Sequence, residues 1–172
     1  MKLLYLLRHA KAAVAEPGQD DHARPLNGRG RRASQRIGDV LAERGEPPEV
    51  VLCSSSRRTR ETLDRVLDRL SARPRVVIES DLYLADAPTL LAHLRGLSDD
   101  YERAMLVGHH PGIADLAEML ATEGPRDLRQ RLAEKYPTAA LAILELDGAR
   151  WSEIGAGATL LAFVLPRELE PA

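Results

Sequence analysis

The chain reads as an α/β protein, a three-layer α/β/α sandwich with a mostly parallel central sheet and an antiparallel C-terminal edge, and three observations predict it. Short apolar runs alternate with amphipathic stretches through residue 121, the pattern of parallel strands covered by helices on both faces. Residues 3–7, 50–52 and 105–108 are apolar without alternation, as strands buried on both sides are. Beyond the charged stretch 122–136 the pattern turns to strand-like runs around an Asp-Gly pair, which suits antiparallel hairpins.

The elements follow in order. The first strand, 3–7, runs into Arg8-His9. Residues 11–27 are polar with proline and glycine, and read as a long loop closing on a turn. From 30 to 44, Ala33, Ile37, Val40 and Leu41 recur at helical spacing, and the helix stops at Gly45-Glu46-Pro47-Pro48. The second strand, 50–53, runs into Ser54-Ser55-Ser56-Arg57-Arg58. A second helix starts near Arg57 with Ser55 or Ser56 as N-cap, lines up Leu63, Val66, Leu67 and Leu70, and ends before Arg73-Pro74. Residues 76–78 read as a short buried strand. Asp86-Ala87-Pro88 introduces a third helix carrying Leu90, Leu91, Leu94 and Leu97. Strand 104–108 then runs into His109-His110-Pro111-Gly112, and Ile113, Leu116, Ala117 and Leu120 form the buried stripe of a fourth helix with Pro111 near its first turn. Segment 122–136 is expected to be a short exposed helix. Residues 140–146, 150–154 and 159–165 look like strands, with a hairpin at Asp147-Gly148.

A length of 172 residues fits one domain over residues 1–172. A net charge of -2, with 29% charged and 44% hydrophobic residues, fits a soluble globular protein and argues against coating nucleic acid or a membrane surface. Cys53 is the single cysteine, so no intramolecular disulfide forms, and its strand setting suggests a buried, inert thiol in a reducing compartment. No apolar run approaches a membrane span or a signal-peptide core. A cytoplasmic monomer is expected.

Chemistry concentrates where the strands end. In open α/β sheets ligands bind beyond the carboxyl ends of the strands. If the three apolar strands are parallel neighbours, two histidines and at least two arginines meet in one crevice, with helix N-termini after two of the strands adding backbone donors. That combination suits a phosphate held beside a nucleophile. Spacing alone makes Arg57, Arg58 and Arg60 solvated i,i+4 partners of the acidic residues on their helix. His9 alone would pass as a polar residue at a strand end, but Arg8 beside it and His109 at the matching position argue otherwise. His110 should point away from His109, since neighbours on an extended chain face opposite sides. His22 and His93 read as surface residues. There is no His-x-x-x-His, no Cys/His cluster and no His-Glu-x-x-His, so neither a metal nor another cofactor is expected.

Leu4-Tyr5-Leu6-Leu7-Arg8-His9-Ala10-Lys11-Ala12 resembles the opening Arg-His motif of the histidine phosphatase superfamily, which includes the phosphoglycerate mutases. Asp21-x-x-Arg24-Pro25-Leu26, Ser54-x-x-x-Arg58-x-x-x-Thr62, Leu82-Tyr83-x-Ala85 and Val107-Gly108-His109-x-Pro111-Gly112 are similar to its compact SixA-type phosphohistidine phosphatases, in order over residues 2–120. The resemblance implies that His9 attacks phosphorus and is transiently phosphorylated. It implies that Arg8, Arg58 and His109 hold the transferring group, with Asp21 and Arg24 in the substrate-binding set. A neutral imidazole is nucleophilic near pH 7, and neighbouring arginines should keep it unprotonated. Mutase-like relatives carry a glutamate proton donor after the third strand, within an insertion that covers the site. Here residues 79–86 pass directly into a helix, so no carboxylate holds that position, and Asp81, Asp86 and Asp21 are the available substitutes. An uncovered crevice suits a phosphate displayed on a protein better than a small ester or a mutase intermediate that needs shielding from water. The expected activity is a metal-independent phosphohistidine phosphatase acting on a phosphotransfer protein. The alternatives are a phosphomonoesterase of a small metabolite and a non-catalytic phosphoprotein-binding module. Loop 11–23 and segment 122–136 are the expected substrate contacts.

Overall fold

The computed structural model describes residues 1–148 and 150–169. Its strands are β1 (Lys2–Arg8), β2 (Val50–Ser54), β3 (Arg75–Glu79), β4 (Arg103–Gly108), β5 (Leu141–Leu146) and β6 (Thr159–Val164), joined in one sheet of order β3-β2-β4-β1-β5-β6. The first four are parallel, whereas β5 pairs with β1 and β6 with β5 in antiparallel fashion. The expected mixed α/β architecture is present.

Among the described residues five α-helices cover the sheet: α1 (Gly28–Arg44), α2 (Arg57–Leu67), α3 (Ala87–Arg95), α4 (Gly112–Leu120) and α5 (Arg126–Glu134). Alternation along the buried strands divides the core in two. Tyr5, Leu7, Val51 and Cys53 pack with Ala33, Ile37 and Leu41 of α1 and with Leu63, Val66 and Leu67 of α2. Leu4, Leu6, Val50 and Leu52 face the other way, onto Leu90 and Leu94 of α3, Leu116 and Leu120 of α4, and Leu132 of α5. Each such leucine, hidden from water, stabilises the fold by about 1.5–3 kcal/mol. Helix starts are fixed by side chains: Asn27 accepts from the Gly30 amide, Ser56 from Thr59 and Asp86 from Thr89. α1 ends on Gly45, whose φ of +73° glycine adopts without strain.

Three expectations need correction. Residues 76–78 are a strand but not a buried one. β3 is the sheet edge, and Val76 and Ile78 are 39% and 45% exposed. Residues 150–154 form a 3-10 turn, Trp151–Glu153, instead of a strand. Trp151 is fully buried, donates its indole N–H to the Tyr101 carbonyl (2.8 Å), and lies beneath the Lys2 ammonium, so packing and not ladder pairing holds this segment. Among the described residues no tight hairpin forms at Asp147-Gly148, because the next strand to pair with β5 is β6, which starts only at Thr159. The helix in 122–136 is present as α5, yet it buries Leu132, and Tyr136 just beyond it donates to the Leu6 carbonyl at 2.6 Å.

Candidate active site

Register brings the strand ends level. Arg8 of β1 lies opposite Gly108 of β4, and Cys53 of β2 opposite Val107. The residues just past these strands therefore share one rim of the sheet, and β1, β4 and β2 are consecutive there. His9 and His109 meet with ring centroids 5.3 Å apart. α2 and α4 start from the same rim.

His9 is 8% exposed and its orientation is fixed by the backbone. Nδ1 lies 2.8 Å from the Ala10 carbonyl. A carbonyl can only accept, so Nδ1 carries the proton and Nε2 keeps its lone pair. Burial, followed by the Arg58, Arg8 and Arg24 charges, pushes the imidazole down to about 4, against the Ala10 hydrogen bond, which favours protonation. The ring is neutral near pH 7. The turn beneath it is tied to α2: the Ala10 amide donates to Thr62 Oγ1 (3.0 Å), and the Thr62 hydroxyl donates to the Arg58 carbonyl (2.7 Å). On the other side the Ala139 amide donates to the His9 carbonyl (3.0 Å).

The two arginines are anchored from behind. Arg8 donates Nη1–H to the Tyr136 carbonyl at 2.8 Å. Arg58, 3% exposed, donates Nη1–H to the Asp21 carbonyl (2.9 Å) and Nη2–H to Asp21 Oδ2 (3.0 Å). The Nε–H groups of Arg8 and Arg58 are buried and meet no acceptor among the described residues. Two unpaired guanidinium donors beside a neutral imidazole are costly unless an anion can meet them.

His109 is 2% exposed, with Nδ1 3.4 Å from Arg58 Nη2 and Nε2 2.7 Å from Ser54 Oγ. Since a guanidinium has no acceptor, Nδ1 carries the lone pair and Nε2–H donates to Ser54. Burial, then His9 and Arg58, lower this imidazole to about 3. Asp21 accepts from the Tyr83 hydroxyl and from Arg24 Nε (3.0 Å) as well as from Arg58. The Tyr83 bond first, then Arg58, hold its carboxyl at about 2.

Arg8, His9, Arg58, His109, Asp21 and Arg24 thus form one cluster. Asp86 is spent as the α3 cap, and Asp81, 73% exposed, faces His93 Nε2 at 3.8 Å. Neither has a hydrogen bond to the cluster among the described residues. His110 is exposed, pointing away from buried His109. His22, expected at the surface, belongs to the site. It bonds Ser55 Oγ through Nε2 (2.9 Å) and meets the edge of Tyr83, whose ring in turn meets His109. Only its place beside Asp21 could have flagged it. Cys53 is buried, and that burial pushes its thiol up to about 12. Among the described residues no group of three or more His, Cys, Asp or Glu is placed to hold a metal, and no helix is long and apolar enough to cross a membrane.

Fold and site together define an α/β protein that gathers a buried, neutral histidine and two anchored arginines at the carboxyl ends of its parallel strands. The histidine phosphatase superfamily (branch 1) model matches residues 4–83. An uncharacterized protein of Mycobacterium leprae is 34% identical over 94% of this chain and 100% of its own length. Two solved structures that carry the name phosphohistidine phosphatase SixA are similar throughout. That from Agrobacterium tumefaciens is 30% identical with a TM-score of 0.80, covering 96% of this chain and 98% of that one. That from Nakamurella multipartitia is 30% identical with a TM-score of 0.81, covering 96% of each. The chain belongs to the histidine phosphatase superfamily.

Proposed function

We propose that the chain, working as one domain, is a metal-independent phosphohistidine phosphatase with His9 as nucleophile and a phosphotransfer protein as substrate. The observation that carries this reading is the pair of buried, unpartnered Nε–H groups of Arg8 and Arg58 beside the free Nε2 of His9. His9 Nε2 attacks phosphorus as the P–N bond to the substrate imidazole breaks, the two guanidinium forks neutralising the equatorial oxygens. An anion between Arg58 and His109 favours a proton on His109 Nδ1, turning that atom from acceptor to donor. Water then attacks phospho-His9 and releases phosphate.

The leaving group argues for the nitrogen substrate. Alkoxide release calls for a protonated acid, and the nearby carboxylates are poorly placed for that. Asp21 is held anionic with its carboxyl at about 2, Asp86 caps α3, and Asp81 faces His93. A ring-protonated phosphohistidine leaves as neutral imidazole, whose conjugate acid has a pKa of about 6.5, and needs little help. The SixA-named relatives support the same substrate class.

The test is turnover of phosphohistidine and of an alkyl phosphate ester, glycerol 3-phosphate, side by side, with chelator present and His9→Ala as control. Preference for phosphohistidine, an acid-labile phosphoenzyme and silence of a folded His9→Ala protein are expected. Substantial activity in that variant removes His9 as nucleophile, and preference for the ester makes Asp81 and Asp86 the residues to test.

A further inference from the structure

A second cationic feature lies beside the cluster, and the chemistry above does not use it. A cleft of about 450 Å³ runs between the loop after β1, the first turns of α1, the end of α5 and the segment after β6. Lys11, Arg29, Arg131, Lys135 and Arg167 line it against one carboxylate, Glu134. This concentration of positive charge stands on a chain whose net charge is -2. Arg131 is paired with Glu168. The side chains of Lys11, Arg29, Lys135 and Arg167 have no hydrogen-bond or ion-pair partner among the described residues. Four exposed cations in one concavity repel each other, so an anionic occupant lowers the energy of the arrangement.

The cleft walls are continuous with the segments that hold the nucleophile. Lys11 stands two residues after His9, and its carbonyl accepts from the Asn27 amide at the start of α1. Pro137 and Thr138 lie between Tyr136, whose carbonyl anchors Arg8, and Ala139, whose amide holds the His9 carbonyl. A macromolecule with its phosphorylated side chain at His9 would lie over this cleft.

We propose that the cleft docks an acidic segment of the phosphorylated protein, flanking its phosphohistidine. This rests on the substrate class proposed above. The cations come from four separate stretches of chain, 11, 29, 131–135 and 167. Charges spread in that way match a row of carboxylates on an extended or helical segment better than one compact phosphate, which would draw its donors to a point.

The test uses two synthetic phosphohistidine peptides of one core sequence, flanked by glutamates or by serines, with wild type and an Arg29→Glu/Lys135→Glu variant. Both replaced side chains are exposed and unpaired, so the variant should fold and turn over p-nitrophenyl phosphate as wild type does. Wild type should favour the acidic peptide about tenfold in kcat/KM at low salt, and the preference should vanish in about 0.5 M salt and in the variant. A preference that survives in the variant overturns the proposal. Anisotropy of a fluorescein-labelled, unphosphorylated hexaglutamate peptide supplies an arm independent of activity, with binding to wild type and at least about tenfold weaker binding to the variant expected. If wild type hydrolyses neither phosphohistidine peptide, the proposed substrate class fails, and the hexaglutamate result alone decides the cleft. Equal binding by both proteins then removes it.

Discussion

Holding two buried histidines neutral sets a cost that pH can reveal. His9 and His109 are lowered to about 4 and about 3, burial being the first cause in each. In the unfolded chain an imidazole takes its proton near pH 6.5, whereas in the folded protein these two do not until far lower pH. The unfolded state therefore binds more protons below pH 6.5, and stability falls as pH falls through that point toward 4. Above it the penalty is absent. At pH 5 each histidine costs 1.5 pH units at 1.36 kcal/mol per unit, about 2 kcal/mol, so the pair costs about 4 kcal/mol. Urea unfolding of wild type and of the His9→Gln/His109→Gln double variant at pH 7 and pH 5 isolates the effect, because every other titrating group is common to both. The variant should lose about 4 kcal/mol less on acidification, and each single variant about 2 kcal/mol less. If wild type and double variant lose the same amount, the histidines are not held neutral, and the argument for a ready nucleophile falls with them.

Three further outcomes follow from named contacts. Asp21→Asn removes the carboxylate that meets Arg58, Arg24 and Tyr83. Its carboxyl lies below the unfolded value, so its contribution is present above about pH 4 and fades toward pH 2. With the side chain 46% exposed, full linkage must be discounted to about 1 kcal/mol at pH 7, and unfolding curves of both proteins should converge in acid. Thr62→Val strips the acceptor from the buried Ala10 amide. It should cost about 1–3 kcal/mol and lower kcat more than it raises KM, and an unchanged kcat would detach that bond from the nucleophile's position. Gly30→Ala would gain about 1 kcal/mol by helix propensity alone, but its Cβ would sit 2.1 Å from the Lys11 carbonyl oxygen. Thermal melts should show a net loss of about 1–3 kcal/mol, and a gain would mean that the loop after His9 yields freely.

The parallel core was legible because the middles of β1, β2 and β4, residues 4–7, 50–53 and 104–107, are buried on both faces and hydrophobic throughout, so their composition states their place. β3 has the same composition at the sheet edge, and nothing local distinguishes Val76 and Ile78 from a core strand, because the missing neighbour is a fact of topology. Residues 150–154 misled for the opposite reason. Trp151 looks like strand composition, and only the Tyr101 carbonyl and the Lys2 ammonium, distant in sequence, make it a buried turn. Within the site, strand-end residues with a motif, Ser54 among them, could be read, while His22, whose place rests on contacts with Ser55 and Tyr83, could not. The cationic cleft left no sequence signal, since its charges are scattered from Lys11 to Arg167.

The two cationic regions are ordered differently, and that difference separates their effects. Arg8 and Arg58 are fixed by the Tyr136 carbonyl and by Asp21 before any substrate arrives. In the proposed reaction little of their side-chain entropy would remain to be lost on docking a phosphoryl group, so their interactions would act on the transition state. Lys11, Arg29, Lys135 and Arg167 have no such anchors among the described residues. Exposed charges of that kind act over about 10 Å at 0.1 M salt and govern encounter and affinity more than the chemical step. Changes at the arginine pair should therefore appear in kcat at any ionic strength. Changes in the cleft should appear in kcat/KM for a protein substrate alone, and should fade as salt rises.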